Sequence, residues 1–157
     1  MSQPYLIRMG SDISYYYEKL LKMKIGQAQI EGVNYLDKFL RAKIQEIGIV
    51  VPEHDGFNKV VDIAKKQRII TKNKAKRFKD YAKIRNLFAH ETECETYDDE
   101  PIKQSVSDFF NQHRNFCDRQ KTALIATGLD GYICDNNVIL MIYMLSVDIA
   151  AKKTRVY

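Results

Sequence analysis

Apolar residues recur at spacings of three and four along most of the chain, which is the period of one face of an α-helix. The first such stretch runs from Ser11 to Ile47, with apolar positions at Ile13, Tyr17, Leu20, Leu21, Ile25, Ala28, Leu36, Leu40, Ile44 and Ile47. Gly26 and Gly32 either divide this stretch into two helices or mark close packing, and Gly48 and Pro52 end it.

The same period predicts further helices after Pro52. They span Phe57 to about Lys66, Lys72 to about His90, Pro101 to Cys117, and about Val138 to Lys152. Thr71 has the residue type and position of an N-cap for the second of these helices. Between Lys121 and Tyr132, the pairs Thr127-Gly128 and Asp130-Gly131 are signals of a turn or a helix end. This segment is therefore either the end of a helix or a short hairpin. No run alternates convincingly between polar and apolar residues, so the sequence predicts one all-α domain over residues 1–157, a bundle of five or six helices.

The composition is that of a soluble globular domain. The chain has 157 residues, of which 45% are hydrophobic and 29% are charged. The first residues lack the pattern of a signal peptide, and the longest apolar run, Val138 to Leu145, is too short to cross a bilayer, so we expect a cytoplasmic protein without a membrane partner. Cys94, Cys117 and Cys134 are odd in number and widely spaced, so neither a disulfide framework nor a zinc site is predicted.

The charge is unevenly placed along the chain. Although the net charge is only +5, the segment from Lys59 to Arg85 has eleven Lys or Arg residues against two Asp residues, a local balance of +9. The next segment, Glu91 to Glu100, is acidic. A basic segment of this kind favours a polyanionic partner such as RNA, although a solvated helix face would have the same composition. The candidate nucleic-acid-binding residues are Lys72, Lys74, Lys76, Arg77, Lys79 and Lys83.

The helix predicted from Lys72 to His90 has two different faces when it is projected at about 100° per residue. The apolar face, which we expect to pack into the bundle, consists of Tyr81, Ile84, Leu87 and Phe88. The other positions combine polar groups with small residues that permit close approach, namely Ala82, Arg85, Asn86, Ala89 and His90. Arg85 and His90 are about 140° apart on an ideal helix, so they reach one point only if the helix end is distorted or if two copies face each other across a twofold axis.

Arg85, Asn86 and His90 have the side chains that metal-free RNA cleavage requires. Imidazole exchanges protons near neutral pH, and guanidinium is a permanent cation with a planar set of donors that matches phosphate. A histidine would take the proton of a 2′-hydroxyl, and the arginine would stabilise the charge that develops on the phosphate. Asn86 would orient His90 or donate to a phosphate oxygen. Without further support, a purely structural role for these three residues is the simpler interpretation.

The stretch from Ile84 to His90, IRNLFAH, follows Ile69, Ile70 and a basic helix, and closely resembles the signature of the HEPN-domain superfamily, in which Arg-Asn-x-x-x-His closes a bundle helix. The resemblance implies a four- or five-helix bundle that dimerises with two motifs across a cleft and commonly acts as a metal-independent endoribonuclease, without a cofactor. On that pattern the catalytic residues are Arg85, Asn86 and His90. Defence, toxin and stress systems are the expected contexts, and a cognate antitoxin or regulatory protein is a possible partner.

Other details of the sequence leave alternatives open. The segment with Tyr97 and Pro101 is especially similar to the mannitol operon repressor branch of the superfamily, which favours a non-catalytic regulator or scaffold that binds protein, nucleotide or nucleic acid. Thr92 stands where HEPN toxins paired with nucleotidyltransferase antitoxins have a tyrosine, so regulation through such a tyrosine is not supported. A third hypothesis is an antitoxin-like partner whose acidic segment docks on a basic protein. His54 and His113 are expected to be polar surface residues without metal-ligand spacing.

Overall fold

The computed structural model describes residues 2–91, 94–127 and 137–151, and all regular structure in these ranges is helical. The seven helices of these ranges are α1 (Ser2–Leu21), α2 (Ile25–Glu46), α3 (Phe57–Lys66), α4 (Lys72–His90), α5 (Ile102–Gln112), α6 (Arg114–Thr127) and α7 (Asn137–Ala150). The predicted all-α class is confirmed, and the number of helices is slightly higher than the five or six expected. Among the described residues, no helix combines the length and the hydrophobicity that a membrane span requires.

The long apolar stretch near the start forms two helices, but neither glycine divides it. The break lies between Leu21 and Ile25, and both glycines are inside α2. A Cβ atom on Gly26 would lie 3.1 Å from the Phe88 ring, and one on Gly32 would lie 3.1 Å from a Leu145 methyl group. The glycines therefore permit close packing of α2 against α4 and α7, which is the second of the two predicted roles.

Helix α7 occupies the centre of the bundle. Its residues from Leu140 to Ser146 are all buried, and α1, α2 and α6 pack against it. Helix α4 packs mainly against α2, α3 and α5, and it reaches α7 through hydrogen bonds of Arg77 and Tyr81 to Asp148. One side of α4 is therefore committed to the core, and the other side is left to solvent.

The predicted helix from Pro101 to Cys117 is wrong in its extent. It consists of α5, which ends at Gln112, and the start of α6, which begins at Arg114. The break falls at His113, whose backbone leaves helical geometry (φ −116°, ψ 35°). Neither glycine nor proline marks this position, so the local sequence does not signal the break. Helix α6 then continues to Thr127, so residues 121–127 form a helix and not a hairpin strand. Residues 128–132 lie outside the described ranges.

The start and the environment of α4 follow from named side chains. The Thr71 hydroxyl oxygen accepts a hydrogen bond from the Lys74 backbone N–H at 3.1 Å, which confirms the predicted N-cap. At the middle of α4, the buried Gln29 side chain of α2 donates to the Tyr81 carbonyl at 3.0 Å and accepts from the Tyr97 hydroxyl at 2.8 Å. This bridge attaches the segment after α4 to the core.

Candidate functional site

Helix α4 presents a basic face to solvent. Its members recur every three or four residues and lie within about 80° of one another around the helix axis. We call this set the lysine face, and it consists of Lys72, Lys76, Lys79, Lys83, Asn86 and His90. All six are exposed except Lys79, which is partly buried. The face thus carries four cationic side chains and ends at two of the three motif residues.

A groove of about 400 Å³ runs between the C-terminal half of the lysine face and the start of α3. We call it the motif groove. Its lining residues are Asn58, Lys79, Asp80, Lys83, Asn86, Leu87 and His90. Leu87 supplies the apolar part of the wall, and the remaining side chains are polar or charged. The groove is therefore a concave site whose lining is mainly polar, with two lysines against one aspartate.

Arg85, the third motif residue, lies on another side of α4. Its Nε donates to Asn86 Oδ1 at 2.7 Å, so the asparagine amide connects the arginine to the motif groove. Burial lowers the pKa of the half-buried Arg85 guanidinium, and the negative charge of Asp37 on α2 opposes that shift. The guanidinium stays cationic because its ordinary pKa is far above neutrality.

His90 is exposed at the last position of α4. The Glu91 N–H donates to the Leu87 carbonyl at 2.8 Å, so the helical hydrogen-bond pattern is regular up to its end. A distorted helix end therefore does not bring Arg85 to His90, and the two side chains remain on different flanks of α4. Within the described part of the chain, the His90 ring has no hydrogen-bond partner. Ala89 is exposed, whereas Ala82 is buried, so only Ala89 remains open to close approach from outside.

The predicted nucleic-acid-binding residues separate into different environments. Lys76 pairs with Asp80 at 3.2 Å, and Lys79 pairs with Asp62. Lys72 and Lys83 have no acidic partner among the described residues. Lys74 lies about 180° from Lys83 around the helix, and so it does not join the lysine face.

Arg77 differs from all the lysines, because it is buried. Its Nε and Nη2 atoms donate to the two oxygens of Asp148 at 2.9 and 2.6 Å, and the Tyr81 hydroxyl donates to the same carboxylate at 2.8 Å. The guanidinium carbon lies 3.7 Å from the centre of the Phe116 ring. Burial alone would lower the pKa of Arg77, but Asp148 outweighs it and the pKa is raised. This corrects the assignment of Arg77 to nucleic-acid binding, since its side chain is buried and its Nε and Nη2 atoms already donate to Asp148.

His113 is a second correction, because it is not a surface residue. Its Nε2 lies 2.7 Å from Asp80 Oδ2, its side chain is only 8% exposed, and its ring packs 4.8 Å from that of Phe109. Burial by itself raises the pKa of Asp80, but hydrogen bonds from His113 and Lys76 outweigh it and hold that pKa below its ordinary value. Asp80 and His113 are 33 residues apart, so no local pattern indicates their contact. His54, in contrast, is exposed as predicted.

Within residues 2–91, 94–127 and 137–151, no three His, Cys, Asp or Glu side chains are grouped so that they could hold a metal ion. Comparison of the chain with family models, curated proteins and solved structures gave no match. The resemblance to HEPN proteins therefore stays a prediction from the motif between Ile84 and His90, which lies at the end of a basic bundle helix.

Proposed function

We propose that this protein is a metal-independent endoribonuclease of the HEPN type, active as a cytoplasmic homodimer in a defence, toxin or stress system. The observation that carries the proposal is that Asn86 and His90 open into the motif groove at the end of the lysine face. Phosphates of the RNA backbone lie along the lysines, which gives binding that weakens as the salt concentration rises. The scissile phosphate then lies beside His90.

Each motif residue has a role in this reaction. His90 takes the proton of a ribose 2′-hydroxyl, the 2′-oxygen attacks the adjacent phosphorus, and the bond from phosphorus to the 5′-oxygen breaks. The product keeps a 2′,3′-cyclic phosphate, the leaving 5′-oxygen takes a proton from solvent, and His90 then releases to solvent the proton that it accepted. Arg85 stabilises the negative charge on the phosphoryl oxygens. Because the nucleophile belongs to the RNA, the reaction does not require a water molecule activated by a metal ion.

A twofold dimer reconciles these roles with the geometry of α4. Arg85 and His90 lie on different flanks of one helix, which is regular to its end. If two α4 helices face each other across a twofold axis, Arg85 of one protomer lies opposite His90 of its partner, and each dimer has two composite sites. Ala89, small and exposed beside His90, would permit the close approach of the partner helix.

Cleavage in the presence of EDTA is the first test. The purified protein is expected to cut single-stranded RNA and to leave 2′,3′-cyclic phosphate ends. His90→Ala should lower the rate by about two to four orders of magnitude, the usual contribution of a general acid or base. His54→Ala is the matched control, because that histidine is exposed and lies outside the motif groove. Equal rates for the two variants would end the proposal.

Mixing two inactive variants tests the composite site. Arg85→Ala and His90→Ala protomers should each be inactive alone and regain about a quarter of wild-type activity after mixing, because half of the dimers are mixed and each has one intact site. If Arg85 and His90 of the same chain act together, the mixture stays inactive. Size-exclusion chromatography before and after mixing verifies that dimers form and exchange.

The second candidate is a non-catalytic HEPN-like regulator or scaffold. It is favoured by the Arg85 hydrogen bond to Asn86, which engages both side chains within one protomer. In this case RNA or a regulatory protein binds the lysine face without being cut. Tight, salt-sensitive RNA binding together with the absence of cleavage across a broad panel of RNA sequences would favour it over the ribonuclease.

A further inference from the structure

A second polar pocket lies at the other end of α4, where α5 meets α6. We call it the corner pocket. It has a volume of about 380 Å³, and its polar lining includes Asn73, Lys76, Asn111, Arg114, Asn115 and Arg119. All six are exposed, and none of the pocket's lining residues in the described part of the chain is acidic. Three cations and three amides thus surround an open cavity. This cavity is separated from His90 by about four-fifths of the length of α4.

The chemistry of the corner pocket suits a nucleic-acid strand. Arginine guanidinium groups bind phosphates with paired donors, and asparagine amides present both donors and acceptors to base edges and sugars. Arg114 is held by Asn111 Oδ1 at 3.2 Å, and the side chain of Arg119 extends from the next turn of α6. A protein partner would need a strongly acidic segment to satisfy the same cations.

The corner pocket is connected to the motif groove along α4. A smaller depression between them shares Lys83 with the groove and Lys76 with the corner pocket. Asp80 and Asp108 also line this depression, so phosphates are expected to contact cations mainly at its two ends. From Asn73 to His90 the helix rises about 25 Å, which a stacked strand with a rise of about 3.4 Å per nucleotide spans in about seven nucleotides.

We propose that the corner pocket is a binding subsite for the backbone of single-stranded RNA, occupied by nucleotides about seven positions from those in the motif groove. The inference rests on the proposed function, since it takes RNA as the ligand of the groove. The enzyme thereby requires a single-stranded segment long enough to reach both sites, and short fragments dissociate after cleavage because they reach only one.

The test measures binding separately from cleavage. The probes are fluorescent 2′-O-methyl RNA strands of 4 and 12 nucleotides, which lack the 2′-hydroxyl and cannot be cut, and binding is followed by anisotropy. The double variant Arg114→Gln/Arg119→Gln should bind the 12-nucleotide strand on the order of tenfold more weakly than wild type. The slope of log affinity against log salt should fall by about 1.4, or about 0.7 for each phosphate that is no longer neutralised. The preference of this variant for the 12-nucleotide strand over the 4-nucleotide strand should be smaller than that of wild type, because only the lysine face then contacts the additional nucleotides.

The matched control is Lys22→Gln/Lys103→Gln, which also removes two exposed charges. Neither lysine lines the corner pocket. Lys22 follows α1, which packs mainly on α7, and Lys103 lies on the side of α5 opposite to the pocket residue Gln112. The control should bind both strands like wild type. If the corner variant binds the 12-nucleotide strand as tightly as the control does, the inference is overturned. This holds even if wild type prefers the longer strand, because that preference would then come from another surface, such as the dimer partner. The inference is also overturned if an RNA duplex or an acidic peptide displaces the labelled 12-nucleotide strand from wild type as well as the unlabelled strand does.

The outcomes for this inference and for the proposed function are distinguishable. If wild-type protein binds the 2′-O-methyl strands with the expected dependence on the corner pocket but never cuts ordinary RNA, the subsite stands and the ribonuclease proposal fails. If ordinary RNA is cut through His90 and the corner variant cuts and binds like the control, the ribonuclease stands and the subsite fails. Thermal unfolding of each variant verifies that all proteins are folded.

Discussion

The two sides of α4 use basic residues in opposite ways. On the buried side, Arg77 is enclosed by Asp148, Tyr81 and Phe116, and all of its charge is matched within the bundle. On the lysine face, Lys72 and Lys83 lie in solvent without an acidic partner among the described residues. Both groups belong to the same basic run in the sequence. One run of positive charge therefore combines residues that hold the fold together with residues that are free to bind a ligand.

The largest expected effect is that of Arg77→Ala on stability. The change leaves Asp148 buried without its cation, and breaking a buried pair from one side costs about 3–5 kcal/mol of unfolding free energy. Urea denaturation followed by circular dichroism measures the loss. Lys72→Ala, on the lysine face, is the control and should change stability by less than about 0.5 kcal/mol.

Removing both partners sharpens the same comparison. Arg77→Met/Asp148→Asn should recover much of the stability lost in Arg77→Ala, because no uncompensated charge is then left in the core. If Arg77→Ala and Lys72→Ala unfold at the same urea concentration, the distinction between the two sides of α4 is wrong.

A smaller loss is expected where the core polar group is uncharged. Gln29→Ala removes the bridge between the Tyr81 carbonyl and the Tyr97 hydroxyl, leaving both without this partner, which costs about 2 kcal/mol. The neighbouring and exposed Gln27→Ala is the matched control. Chemical denaturation gives both values, and similar losses for the two variants would contradict the role of the bridge. Proteolysis after α4 should also become faster in Gln29→Ala, since Tyr97 attaches that segment to α2.

Asp80 lies between the two sides of α4 and gives a pH-dependent effect. Hydrogen bonds from His113 and Lys76 hold its pKa below the ordinary value despite burial, so the ionised form is favoured by folding. The resulting stabilisation is complete above the unfolded pKa, about 3.9, and is lost as the pH falls through the lower folded pKa. Asp80→Asn should therefore cost about 1 kcal/mol at neutral pH.

The same cost should fade in acid. As the pH falls through the lowered pKa of folded Asp80, its carboxyl takes up a proton, and the wild type and Asp80→Asn should converge in stability. Thermal unfolding across the pH range measures the difference. A constant gap from neutral pH to acid would show that ionisation of Asp80 does not stabilise the fold.

Local features of α4 were predictable from the sequence, and long-range pairings were not. The helical period, the Thr71 cap and the 140° separation of Arg85 from His90 depend only on nearby residues, and the structure agrees with the bounds and the cap. Arg77 and Asp148 are 71 residues apart, so nothing near Arg77 distinguishes it from the neighbouring lysines. The break at His113 has no local signal either, because neither glycine nor proline marks it and its side-chain partner Asp80 belongs to another helix.

The smallest effect on stability, and the one that separates binding from folding, is expected for Lys83→Ala. Lys83 is exposed, lines the motif groove and has no acidic partner among the described residues, so its loss should change unfolding free energy by less than about 0.5 kcal/mol. RNA binding should nevertheless weaken, and the salt slope should fall by about 0.7, because one phosphate is no longer neutralised. Titration of a 2′-O-methyl strand at several salt concentrations measures this slope. An unchanged slope would mean that the lysine face does not follow the RNA backbone, even if Arg77→Ala behaves as expected.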